Sequence, residues 1–222
     1  MEFLELLKTD RPVLLDGGMG TMLQARGLPV GATPELVALE HPDWLRDIHT
    51  AYLDAGSQII YANTFGANRE KLERTGRTVE EIVTAAVTVA KEAAAGRGLV
   101  ALDIGPCGQL LEPTGMLGFE DAVDLFAQVV RAGVKAGADL IAIETMTDLQ
   151  EARAALLAAK ENSNLPVLVP MTYEASGRTF LGCSPAAAAL TLEGLGADAV
   201  GVNCSLGPRE MPPLVEELLK WT

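Results

Sequence analysis

The sequence predicts an α/β fold of consecutive strand-helix units laid out as a parallel (β/α) barrel, with six of the eight units that such a barrel contains. Two observations predict this. Short apolar, β-rich runs recur at intervals of roughly 37 residues, and the stretches between them carry helix patterns with start and stop signals. A third observation, an internal repeat around three of the runs, puts pairs of functional side chains where each strand ends.

The runs are PVLLD from Pro12, QIIYAN from Gln58, LVALDI from Leu99, DLIAIE from Asp139, PVLVPM from Pro166 and DAVGVN from Asp198. Each is nearly continuous rather than alternating, as expected of parallel strands covered by helices on their faces. The intervening segments are amphipathic. Thr78 with Glu81 and Thr147 with Gln150 match capping boxes, and Ser184 before Pro185 reads as an N-cap ahead of an N1 proline. The repeat aligns AGSQIIYANT from Ala55, AGADLIAIET from Ala136 and LGADAVGVNC from Leu195. A glycine (Gly56, Gly137, Gly196) ends each helix, a short polar turn follows, and the strand closes on Asn63-Thr64, Glu144-Thr145 or Asn203-Cys204. Equivalent positions in successive units imply one shared pocket at the carboxyl ends of the strands.

A chain of 222 residues with 49% hydrophobic content can bury one large core, and residues 1–222 are expected to form a single domain. No linker or low-complexity stretch divides it. An eight-unit barrel needs roughly 70 to 80 residues more, so the domain is expected to be truncated before its seventh and eighth strands. No apolar run reaches membrane length, and MEFLELLKTD lacks the grading of a signal peptide, so the expected location is cytoplasmic with no membrane contact. Three irregularly spaced cysteines fit reduced thiols. A net charge of -13 without a basic, aromatic-interleaved cluster argues against nucleic acid.

Several constellations can carry chemistry. In LLDGGMGT, residues 14–21, Gly17, Gly18 and Gly20 allow close backbone approach, and amides at the following helix start suit the carboxylate of an amino acid; a tight turn needing positive φ explains the glycines equally well. The spacing fits neither a Walker loop nor GxGxxG. Glu144 ends an apolar strand, where a carboxylate needs a cation: either a ligand ammonium or a structural salt bridge. Asp16 and Asp103 raise the same choice, and Asp103, before Gly105 and Pro106, reads as structural. Cys107, Cys183 and Cys204 all follow strands; a Cys₃ zinc site would require loops to converge within the ~2.3 Å reach of a Zn-S bond, and three unrelated cysteines is the preferred reading. His41 and His49 sit in a helix-forming stretch without ligand spacing and read as surface or packing residues.

Together, LLDGGMGT, YANTFGAN, DIGPCGQLLEP, IAIETM, MTYEASGRTFLG and GVNCSLGP resemble, in order and over essentially the whole chain, the homocysteine S-methyltransferase family, and most closely the homocysteine-binding domain of cobalamin-dependent methionine synthase. The resemblance implies a TIM-type barrel in which zinc, held by three cysteines, binds the sulfur of homocysteine. Cys204 resembles the first zinc cysteine, and is implied to be catalytic as well as a metal ligand. Asp16, Gly17 and Gly18 resemble part of the homocysteine pocket, Glu144 the acid at the substrate amine, and Asn63, Thr64 and Asn203 pocket-lining positions. Cys107 and Cys183 match no family ligand. The family's other two zinc cysteines lie in a Gly-Gly-Cys-Cys-Gly motif beyond the last residue here. The implied function is therefore zinc-dependent methyl transfer to homocysteine, forming methionine, and incomplete in this chain alone. The implied donor is methylcobalamin, presented by a corrinoid protein or domain. Alternatives are a non-catalytic or partner-completed barrel fragment, homo-oligomeric through an open barrel edge, and a transferase using betaine or a sulfonium donor.

Overall fold

The computed structural model describes residues 2–222. Two compact units make up the chain: one runs to Asp103 and takes in Gln128–Leu140, and the other comprises Ile104–Ala127 and Ile141–Thr222.

In the first unit β1 (Ile59–Tyr61) and β2 (Leu99–Ile104) pair in parallel, with Ile59 opposite Leu99, Ile60 opposite Val100 and Tyr61 opposite Ala101. All six residues of β2 are buried, in keeping with the unbroken apolar run. Helices Pro42–Asp54 and Val79–Ala94 supply the covering layer. Their buried residues, Leu45, Ile48, His49 and Leu53 on one and Ile82, Val83, Ala86, Val87 and Ala90 on the other, recur at three- and four-residue spacing, which puts them on one face. Leu23, Val37, Ala38, Leu45, Ile48, Ala86 and Val89 form a contiguous cluster, in which each fully buried Leu, Ile or Val contributes about 1.5–3 kcal/mol.

In the second unit β3 (Leu140–Ile143), β4 (Val167–Met171) and β5 (Ala199–Val202) are parallel in chain order. Ile141 faces Val167, and the β4-β5 ladder runs from Leu168 opposite Ala199 to Met171 opposite Val202. Helices Leu149–Asn162 and Pro185–Gly194 follow β3 and β4. The first of these buries Ala152, Ala154, Ala155, Ala158 and Ala159, side chains small enough to let a helix pack closely.

The repeat has a concrete structural content. Gly56, Gly137 and Gly196 adopt φ of 109°, 92° and 90°, and the amides of Ser57, Ala138 and Ala197 each reach back to the carbonyl five residues earlier, the bond of a Schellman ending. The polar residue that follows then bonds to the backbone at the start of a neighbouring run. Gln58 Oε1 accepts from Leu14 N at 3.3 Å, Asp139 Oδ2 from Val100 N at 2.8 Å, and Asp198 Oδ2 from Val167 N at 2.8 Å. Lys91 and Lys160 neutralise the two aspartates at 2.8 Å and 3.1 Å. These turns therefore stitch strand starts together.

Two local expectations are revised. The run from Pro12 is a single bridge, Leu15 to Ile59, with Gln58 N and Asp16 N completing its bonds to β1, so five strands form among the described residues where six runs were counted. Pro12 has no N–H to give a ladder, and Leu14 and Leu15 pair along one flank while remaining 53% and 41% exposed. The helix after β3 is capped by Asp148 rather than Thr147: the Asp148 carboxylate accepts from Gln150 N at 2.9 Å. The Thr78–Glu81 capping box and the Ser184 cap form as the sequence predicts. Among the described residues, no helix is long and apolar enough to cross a membrane.

Candidate active site

In the second unit the strand-closing pairs of β3 and β5 meet. Asn203 Nδ2 donates to Glu144 Oε2 at 3.3 Å and to Thr145 Oγ1 at 2.9 Å, while Asn203 Oδ1 accepts from Thr145 N at 3.2 Å and from Thr172 Oγ1 at 3.2 Å. Thr145 Oγ1 lies 3.5 Å from Cys204 Sγ. Residues 144, 145, 172, 203 and 204 thus form one polar cluster at the carboxyl ends of three parallel strands, where α/β folds place their chemistry.

The backbone brings this about. Glu144 N bonds to Ile104 O, Thr172 N to Met146 O and Asn203 N to Met171 O, so the ladders continue past the strand ends and set the side chains in register. There the chain turns sharply: Thr145, Cys204 and Ser205 take φ of 60°, 54° and 56°, a region that non-glycine residues rarely enter and a β-branched one least of all. Glu144 is half-buried. Burial raises its carboxyl above the usual range, and the Asn203 N–H opposes the shift in part. Cys204, by contrast, is exposed. The cluster therefore places a desolvated acid, a keyed carboxamide and an accessible thiol along adjacent strand ends.

The remaining predicted residues of the first unit make their own contacts. Asp16 Oδ2 accepts from Tyr61 N at 2.9 Å. Gly17, Gly18 and Gly20 do not take positive φ, which removes the tight-turn explanation for them. Gly17 is instead a close-approach position, since a Cβ there would meet the Tyr52 hydroxyl at 3.0 Å; that hydroxyl donates to Gly18 O at 3.2 Å. Burial and then the charge of Asp16 raise the Tyr52 phenol. Asn63 Nδ2 donates to Pro34 O at 2.7 Å. Thr64 Oγ1 donates to Asp103 O at 2.7 Å and accepts from Asp103 N at 3.0 Å, so this buried hydroxyl takes the place of one more rung between β1 and β2. Thr172 and Tyr52 were not singled out from the sequence; Thr145 was marked there only as the partner of Glu144 in a strand-closing pair, with no role of its own.

Three further features bear on the chemistry. Cys107 is buried, with Sγ donating to Gln109 O, and Cys183 Sγ donates to Ser184 O. Burial raises the Cys183 thiol, with Arg178 opposing. Among the described residues no group of three or more His, Cys, Asp or Glu side chains is placed to hold a metal ion. A cavity of about 610 Å³ lies elsewhere in the first unit, lined by Arg69, Arg77, Thr78, Glu80, Arg131 and Lys135 among others. Both signs of charge line it, and Lys135 already pairs with Glu80 at 2.7 Å, as in a solvated groove between helices.

The family model for homocysteine S-methyltransferase matches residues 13–222. The chain is 29% identical over 241 residues to the methionine synthase of Mycobacterium leprae, a match covering 97% of this chain and 20% of that protein. It is 30% identical over 222 residues to the methionine synthase of Mycobacterium tuberculosis, covering 91% and 18% respectively. The chain thus spans about a fifth of the length of these curated relatives. Among solved structures, the metallated form of the Escherichia coli homocysteine methyltransferase MmuM superposes with a TM-score of 0.86 at 22% identity, over 99% of this chain and 83% of that one. The apo form of the same enzyme gives 0.77 at 23% identity, over 99% and 81%. At that identity the likeness is one of fold.

Proposed function

Because this chain belongs to the homocysteine S-methyltransferase family, we propose that it binds homocysteine and serves the transfer of a methyl group to its sulfur, with methionine as the product. The observation that carries this reading is the Glu144–Asn203–Thr145–Cys204 cluster, an acid and a thiol held side by side on strand ends.

Homocysteine presents an ammonium, a carboxylate and a thiol. Glu144 suits the ammonium: its carboxyl is partly desolvated, one oxygen is engaged by an uncharged amide, and a cation would offset the cost of ionising it there. Asn203 holds the carboxylate in place while contributing no charge of its own. Cys204 is the candidate partner at the sulfur end. Asp16, Gly17, Gly18, Asn63 and Thr64 are proposed as further substrate-binding residues on the strength of their motif positions. In the reaction the homocysteine sulfur gives up its proton to solvent water, its lone pair forms the S–CH₃ bond, and the donor leaves with the electron pair of the bond that breaks. The proposed donor is methylcobalamin on a separate corrinoid protein or domain, in line with the methionine synthases among the relatives.

Zinc does not fit as a complete site on the described residues. Cys204 is one candidate thiolate, whereas Cys107 and Cys183 are engaged with backbone carbonyls and do not join it in a metal-binding group. No step is accordingly assigned to a metal.

The test is calorimetric titration of L-homocysteine and of L-methionine into the wild-type chain and Glu144→Gln. Saturable binding that weakens by about tenfold or more in Glu144→Gln, the loss expected for a charge-assisted hydrogen bond, supports the assignment. Equal affinity in the two proteins overturns it.

A further inference from the structure

The Asn203 carboxamide has only one orientation that its neighbours allow. A backbone N–H can only donate, so the atom facing Thr145 N at 3.2 Å must be Oδ1. That leaves Nδ2 to face Glu144 Oε2 and Thr145 Oγ1. Thr145 is thus bonded to both ends of the amide, through its own N–H and its own hydroxyl oxygen. That oxygen accepts from Nδ2 and also lies 3.5 Å from the sulfur of Cys204, a contact in which either group can be the donor. Thr145 holds these contacts at φ 60°, a conformation unfavourable for a β-branched residue and retained only where the surroundings over-determine it.

We propose that Thr145 is the positioning residue of the site: its strained backbone and hydroxyl key the Asn203 carboxamide so that an N–H faces Glu144, and the same hydroxyl is set against Cys204 Sγ. The proposal rests on the functional reading of Glu144 and Cys204 given above. A flipped amide would set Oδ1 against the Glu144 carboxylate, two acceptors with no proton between them. Thr172, one residue past β4, has a hydroxyl 3.2 Å from both Asn203 Oδ1 and Asn203 O, and as donor and acceptor alike it is compatible with the orientation without dictating it. Among the described residues, Thr145 alone touches both ends of the amide and the thiol.

The experiment compares wild type with Thr145→Val, Thr145→Ser and Thr145→Gly by carbon-13 NMR titration of the Glu144 side-chain carboxyl, alongside thermal melting. Valine keeps the β-branch and loses the hydroxyl; serine keeps the hydroxyl; glycine loses it and relieves the backbone. The expected result is a Glu144 midpoint raised by about half a pH unit or more in the valine and glycine variants: the amide is then held through Oδ1 alone, its Nδ2 end loses the hydroxyl that anchors it, and its N–H to the charged carboxyl weakens. The serine variant is expected to titrate as wild type, and the glycine variant to melt above the valine variant. A valine variant titrating like wild type overturns the proposal. If the valine variant does not fold, the glycine and serine variants decide in the same way. The titration needs no substrate, so wild-type protein that fails to bind homocysteine counts against the proposed function and leaves this result standing on its own.

Discussion

Asn203 donates one amide proton to Glu144 across 3.3 Å, and that single bond is what the structure sets against the desolvation of the carboxylate. Burial is the larger influence, so the folded chain holds the Glu144 proton more tightly than the unfolded chain does. In the pH range between the two midpoints the folded state binds more protons, and stability is lost as pH rises through it. Glu144→Gln is therefore expected to raise the melting midpoint at pH 7 and to weaken homocysteine binding in the same protein. Differential scanning calorimetry at pH 4 and pH 7 checks the first half; the gain should be present at pH 7 and shrink at pH 4.

His49 is fully buried in helix Pro42–Asp54, with neither ring nitrogen hydrogen-bonded, and burial lowers its pKa to about 4. The unfolded chain takes up that proton near the ordinary value of about 6.5. Stability from the neutral buried imidazole is thus complete above pH 6.5 and is lost as pH falls toward 4, by about 3 kcal/mol in all. Urea denaturation of wild type and His49→Leu across this range should converge as pH falls if the leucine packs less well at neutral pH. Parallel pH profiles would show that His49 is not the titrating group.

Asp139 and Asp198 accept strand-start amides in corresponding turns. Replacing either by Ala leaves a buried N–H without its acceptor and is expected to cost about 1–3 kcal/mol by urea denaturation. Lys91→Met removes only the partly exposed pairing partner of Asp139 and should cost less than about 1 kcal/mol. A lysine variant as damaging as Asp139→Ala would mean that the ion pair, not the backbone bond, holds the turn.

Gly17→Ala brings a Cβ within 3.0 Å of the Tyr52 hydroxyl and 3.2 Å of its ring. The ring must shift and give up its bond to Gly18 O, so a loss of about 1 kcal/mol or more is expected. In a Tyr52→Ala background the same substitution should cost little. Additive effects in that double-mutant cycle would place the cause elsewhere.

The parts of this protein legible in the sequence are those encoded within a few neighbouring residues. Apolar runs marked β1 to β5 to within a residue or two, because continuous burial leaves a continuous composition signal. Gly56, Gly137 and Gly196 announced three helix ends, because only glycine enters that conformation without strain. The strand-closing pairs pointed to Glu144, Asn203 and Cys204 for the same reason: each sits at a fixed offset from its own glycine.

What the sequence determined about this protein is therefore the repeating unit and the address of its candidate site at the strand ends. The tertiary structure decided what each side chain there touches. Thr145 and Cys204 are 59 residues apart, and whether one hydroxyl meets one thiol depends on ladder register and on two left-handed turns that neither residue type favours. Thr64 and Thr145 close their strands in the same way in sequence, yet the first replaces a ladder rung to Asp103 and the second keys an amide. The physical reason is range: propensity acts over a turn or a strand, whereas a hydrogen bond is selected by whichever neighbour the folded chain delivers within about 3 Å.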